Sequence, residues 1–178
     1  MFNLSGVWNT AGIHLNASNH NSGGSSNTQS GSAERSSAPA SPGPLILIVD
    51  DSNDDRLLLA RMLRRAGFQV AEVDSGEQAV QFFRDTQPHA VLLDYMMPGM
   101  DGCTTCELLR SAPGGKYIPI IMLTGMNDTK AILSSYKAGA TDFVTKPGAG
   151  SPLADYAVLS ERIHYLLRGR RRAGPPLK

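Results

Sequence analysis

Five short, strand-length runs rich in apolar residues mark the second part of the chain. Each gives way to a polar break and then to apolar residues spaced every three or four positions. Leu45-Ile46-Leu47-Ile48-Val49 is apolar throughout and stops at Asp50-Asp51. A continuous rather than alternating run predicts a strand covered on both faces. Residues 53–66 carry Leu57, Leu58, Met62 and Ala66 at helical spacing, and Gly67 is placed to stop that helix. Gln69–Val73 reads as a second strand. Ser75-Gly76 turns the chain into a helix marked by Ala79, Val80, Phe82 and Phe83, which ends near Gln87-Pro88. Ala90-Val91-Leu92-Leu93 forms a third strand ending in Asp94, and residues 103–111 a third helix. A fourth strand over residues 118–123 ends in Thr124-Gly125. A helix over residues 128–138 follows, with Gly139 just past its end. Phe143-Val144-Thr145 is a fifth strand running into Lys146-Pro147, and Tyr156, Leu159, Ile163 and Leu166 line one face of a last helix.

Five β–α alternations with short connections predict a three-layer α/β sandwich with right-handed crossovers. Its natural form is the flavodoxin-like (βα)5 fold, with a parallel sheet in the order 2-1-3-4-5. In such sheets chemistry collects beyond the carboxyl ends of the strands, near the point where strand order reverses. Here those ends carry Asp50-Asp51, Asp94, Thr124 and Lys146.

Composition changes the picture at both termini. Residues 16–44 are almost wholly Ser, Asn, Gly, Ala and Pro. Such a stretch buries too little apolar surface to offset the entropy of ordering it, so residues 1–44 are expected to be disordered. The first fifteen residues lack the basic start and apolar run of a signal peptide. No window reaches the roughly 18 apolar residues of a membrane span, so a cytoplasmic protein without membrane contact is expected. The net charge of +1 hides an asymmetry. Residues 45–167 hold 11 Lys/Arg against 15 Asp/Glu, a net of −4, whereas residues 168–178 hold five basic residues and no acid. The folded domain is placed at residues 45–168 and a basic tail at 169–178. The tail reads as solvated, with no direct nucleic-acid contact expected.

Three carboxylates on one rim repel. Two unit charges 4 Å apart cost about 4 kcal/mol at an effective dielectric of 20. Lys146 supplies one positive charge, and a divalent cation is needed for the remainder. Hard carboxylate oxygens with no His or thiolate nearby point to Mg²⁺ rather than zinc.

Ile48-Val49-Asp50-Asp51, the stretch from Leu93-Asp94 through Met96-Met97-Pro98 to Asp101-Gly102, Met122-Leu123-Thr124-Gly125 and Asp142-Phe143-Val144-Thr145-Lys146-Pro147 together resemble the receiver domain of two-component response regulators. The likeness covers residues 45–147 and, more loosely, the last helix. Thr124 lies 30 residues and Lys146 52 residues beyond Asp94. The resemblance implies that Asp94 accepts a phosphoryl group from a sensor histidine kinase or phosphotransfer protein, and that the domain is not an enzyme beyond its own phosphotransfer and self-dephosphorylation. It implies Mg²⁺, with Mn²⁺ able to substitute, held by Asp51, Asp94 and the backbone carbonyl of Met96, with Asp50 acting through water. Lys146, Thr124 and the Gly125 amide would receive the phosphoryl oxygens, and Thr124 and Phe143 would form the switch. Lys146-Pro147 is a candidate cis peptide. Met96 and Met126 offer no group to orient an attacking water, so slow self-dephosphorylation is expected. A homodimer and a downstream output domain are the further partners the resemblance suggests. A weaker similarity, in residues 141–147 and 161–172, is to receivers that precede diguanylate cyclases.

Cys103-Thr104-Thr105-Cys106 raises a thiol-redox module as the rival function. A nucleotide or flavin module is opposed by the lack of a glycine-rich phosphate loop after the first strand. The Gly148-Ala149-Gly150-Ser151-Pro152 passage departs from the receiver pattern. In it Ser151 is a candidate N-cap and Pro152 a candidate first helical residue.

Overall fold

The computed structural model describes residues 43–125, 129–146 and 152–172. Five strands, β1 (Leu45–Val49), β2 (Gln69–Val73), β3 (Ala90–Asp94), β4 (Ile120–Thr124) and β5 (Asp142–Thr145), form one parallel sheet in the order β2-β1-β3-β4-β5. The helices are α1 (Asn53–Arg65), α2 (Gly76–Asp85), α3 (Gly102–Ser111), α4 (Thr129–Lys137) and α5 (Pro152–Arg172). This is the flavodoxin-like order expected from the alternation.

The continuous aliphatic runs are explained by burial on both faces. In β1, Leu47 and Val49 join Ala79, Phe83, Cys106 and Leu109 on the α2–α3 side. Ile46 and Ile48 join Leu59, Leu63, Leu159 and Ile163 on the α1–α5 side. β1, β3 and β4 are buried almost throughout, while the edge strands β2 and β5 are mostly half-buried. Helix ends follow local chemistry. Ser52 caps α1 by accepting from the Asp55 amide, and Asp101 caps α3 by accepting from the Thr104 amide at 2.7 Å. Gly139 adopts φ +94° just after α4, the left-handed conformation that favours glycine.

Two of the boundaries that differ from expectation have a structural consequence. β4 begins at Ile120 rather than residue 118, because Pro119 has no N–H to give the ladder and only its carbonyl pairs, with the Val91 amide at 2.9 Å. A short 3-10 turn, Gly115–Tyr117, occupies the chain just before it. Helix α5 runs to Arg172, through the start of the segment assigned to the tail. Pro152 is its first residue, as expected, whereas the candidate cap Ser151 lies outside the described residues. Also outside them are the stretch 1–42, Met126, the Lys146-Pro147 peptide with Pro147 itself, residues 148–151 and the end of the tail. No helix among the described residues is long and apolar enough to cross a membrane.

Candidate functional site

The carboxyl ends of β1, β3, β4 and β5 meet at one rim. Asp50 and Asp51 follow β1, Asp94 closes β3, Thr124 closes β4, and Lys146 follows β5. Register places Leu123 beside Asp94 and Thr145 beside Thr124, so the strand pairing itself brings these residues together. Asp50, Asp51 and Asp94 each offer a carboxylate oxygen within 4.8 Å of the others. Asp51 is exposed, whereas Asp50 and Asp94 are 0 % and 5 % exposed.

Lys146 is the centre of charge. Its Nζ lies 2.7 Å from Asp50 Oδ2, 3.0 Å from Asp94 Oδ2 and 3.2 Å from Asp55 Oδ2. Burial works against its charged form, but the facing Asp50 and Asp94 outweigh burial and push its pKa up. Asp50 Oδ1 accepts from the Ser52 amide at 2.9 Å, and the Asp50 carbonyl accepts from Arg56 at 2.6 Å. Asp50 Oδ2, despite its contact with the ammonium, lacks the angles of a hydrogen bond and is a fully buried oxygen without one. A buried acceptor in that condition is costly unless another cation meets it. The donor set is all oxygen, which suits a hard divalent ion.

Asp94 Oδ1 accepts from the Met96 amide at 3.3 Å. Burial raises the Asp94 pKa; Lys146 opposes this and Asp50 adds to it, and the net shift is upward. The fold therefore disfavours ionised Asp94. That penalty is absent below the unfolded-state pKa and grows as pH rises towards the folded-state value. Asp94→Asn is accordingly expected to be more stable than the parent by about 1 kcal/mol at neutral pH without metal, since Lys146 keeps Asp50 and Asp55. Urea unfolding in EDTA at pH 7 and near pH 4 checks this. The gain should shrink at the lower pH, and a loss at pH 7 would contradict the account.

Thr124 is buried and its carbonyl accepts from the Lys146 amide at 2.6 Å, while Gly125 is exposed at the rim. Phe143 is half-buried and packs against the α2–α3 core. Beside the acids a cleft of about 510 Å³ is lined by Asp51, Tyr95, Met96, Met97, Pro98 and Asp101. Gly102 belongs to this architecture for a steric reason. A Cβ there would meet the Asp94 carbonyl oxygen and Tyr95 Cα, so only glycine lets α3 start against the end of β3. Sequence reasoning missed Asp55 and Arg56. The available signal was their place on the first turn of the helix that follows Asp50-Asp51.

The two thiols give the redox alternative no support. Cys106 is buried, and burial pushes its thiol up to about 11 despite the charge of Arg110. Burial, with Asp101 and Glu107 adding to it, also raises Cys103. A redox dithiol needs the opposite shift.

A five-stranded 2-1-3-4-5 sheet with an acidic trio, a threonine and a lysine on one rim defines the receiver class. The chain belongs to the response regulator receiver domain family, whose model matches residues 46–157. It is 41 % identical over 102 residues to the DNA-binding response regulator MtrA of Mycolicibacterium smegmatis, covering 57 % of this chain and 43 % of that one. The chain thus spans less than half the length of that relative. A crystal structure of a putative response regulator from Chloroflexus aurantiacus is similar at 35 % identity and a TM-score of 0.65, covering 71 % of this chain and 98 % of the other. The receiver domain of the sensor histidine kinase PA1611 from Pseudomonas aeruginosa, solved with a magnesium ion coordinated in its active site cleft, is similar at 28 % identity and a TM-score of 0.64. That likeness covers 71 % of this chain and 98 % of the other.

Proposed function

We propose that Asp94 accepts a phosphoryl group from the phosphohistidine of a sensor histidine kinase or phosphotransfer protein. An Asp94 carboxylate oxygen would form the new P–O bond as the P–N bond breaks, its electron pair leaving on the imidazole. The observation that carries the reading is the buried Asp94 carboxylate held 3.0 Å from Lys146 on the same rim as Asp50 and Asp51. Phosphoryl transfer needs positioning and charge neutralisation more than a strong base, and this rim offers both.

Mg²⁺, with Mn²⁺ as substitute, would be held by Asp50, Asp51, Asp94 and the Met96 backbone carbonyl, and would supply neutralisation of the phosphoryl charge. Lys146 would meet one phosphoryl oxygen, and Thr124 with the Gly125 amide another. Phosphorylation adds roughly −1.5 to −2 charges. Thr124 drawn towards that charge would leave room for Phe143, shifting the population of two surface states. Phe143 has no hydroxyl, so the altered surface would be read through apolar contact. The domain acts as a phospho-acceptor in the cytoplasm rather than as an enzyme with its own substrate. Its output passes to a partner, to a second copy of the chain or to a further domain. The described domain itself makes no nucleic-acid contact in this reading.

Metal linkage tests the acidic trio. A ligand that binds only the folded state stabilises it by about 2.7 kcal/mol at a hundredfold excess over Kd. Thermal unfolding of the wild type is expected to shift upward by several degrees on Mg²⁺ addition, and Asp51→Asn should lose most of that shift. Equal shifts in both proteins would remove Asp51 from the metal site.

A further inference from the structure

Asp55 stands outside the carboxylate trio, on the first turn of α1, yet Lys146 Nζ donates to its Oδ2 at 3.2 Å. The same ammonium faces Asp50 and Asp94 at 2.7 and 3.0 Å. A lysine ammonium has three donors, and three carboxylates already surround this one. A phosphoryl oxygen on Asp94 draws Lys146 away from its present position among the three, so a contact that is free to give way favours the transfer.

The three are not equally free to do so. Asp50 is fully buried, and its other oxygen is fixed by the Ser52 amide. Asp94 is the group that changes. The Asp55 side chain is 40 % exposed, so water can replace the lysine at little cost. Its backbone amide, not its carboxylate, makes the capping bond to Ser52, so the side chain can leave without undoing the start of α1.

We infer that Asp55 is a positioning residue that latches Lys146 in the resting state, and that release of this hydrogen bond accompanies phosphoryl uptake on Asp94. The inference rests on the reading of Asp94 as acceptor. It assigns Asp55 a restraining role. With the latch removed, the ammonium reaches the incoming group more often.

The test is the rate of phosphoryl uptake by the full chain from acetyl phosphate at saturating Mg²⁺, read by intact mass. Asp55→Asn is expected to react about two- to fivefold faster, the span of one exposed ion pair. Asp55→Glu should restore a rate near that of the wild type. Asp54→Asn removes the same charge from the same turn, at an exposed position, and should change the rate less than Asp55→Asn does. Thermal unfolding of each variant confirms that it is folded. An unchanged or slower rate in Asp55→Asn overturns the latch, as does an equal acceleration in Asp54→Asn, which would reduce the effect to general charge. A wild type that takes up no phosphoryl group, or takes it up equally as Asp94→Asn, refutes the acceptor reading instead.

Discussion

Asp94→Asn will take up no detectable phosphoryl group from acetyl phosphate with Mg²⁺, while the wild type gains the mass of one. The carboxylate oxygen is the nucleophile, and a carboxamide cannot form the acyl phosphate. The variant should remain folded, because the side-chain volume is kept and Lys146 stays paired with Asp50 at 2.7 Å and Asp55 at 3.2 Å. Loss of phosphorylation together with retained or increased stability separates a chemical role from a structural one. Beryllofluoride, which mimics a phosphoryl group on a carboxylate, gives a second readout. It should perturb the wild type near Thr124 and Phe143 and leave Asp94→Asn unchanged.

The second large effect is steric. Gly102→Ala is expected to lose about 2–3 kcal/mol of stability, the scale of overpacking a closed contact. The added methyl would sit on the Asp94 carbonyl oxygen and against Tyr95 Cα. The Gly102 amide donates to the Tyr95 carbonyl at 3.1 Å, so α3 cannot move away without losing that bond. The strain falls on the backbone that carries Asp94, and phosphoryl uptake should slow as well. Gly125→Ala provides the control. A Cβ there meets nothing within 4 Å, and stability should change by no more than about 0.5 kcal/mol. Urea unfolding of the two variants side by side decides the matter. Equal stability would mean that α3 is free to shift.

These effects also mark how far the sequence could be read. β1, β3 and β4 were legible because a strand buried on both faces must be apolar at every position, and Leu45-Ile46-Leu47-Ile48-Val49 is. Asp50, Asp94 and Lys146 were legible because strand ends in a parallel sheet share one rim. The reach of Asp55 was not, since it depends on how the first turn of α1 lies beside the end of β5, 91 residues away. Gly102 was seen as part of a motif, but its contact with Asp94 is a matter of inter-element distance that composition does not carry. The same holds for Arg110. Its guanidinium donates to the carbonyls of Gly139, Gly115 and Ile118 and to Thr141 Oγ1, joining α3 to the starts of β4 and β5. In the sequence it is one basic residue near the end of an amphipathic helix.

The central claim is the identity of the phosphorylated side chain, and the most direct measurement is its chemical mapping. The full chain is treated with acetyl phosphate and Mg²⁺, the acyl phosphate is reduced with borohydride, and peptide fragmentation locates the homoserine produced. Homoserine is expected in place of aspartate at position 94 and at no other acid. Reduction at Asp50, Asp51 or Asp55 with Asp94 intact, or a modification that survives in Asp94→Asn, would contradict the claim.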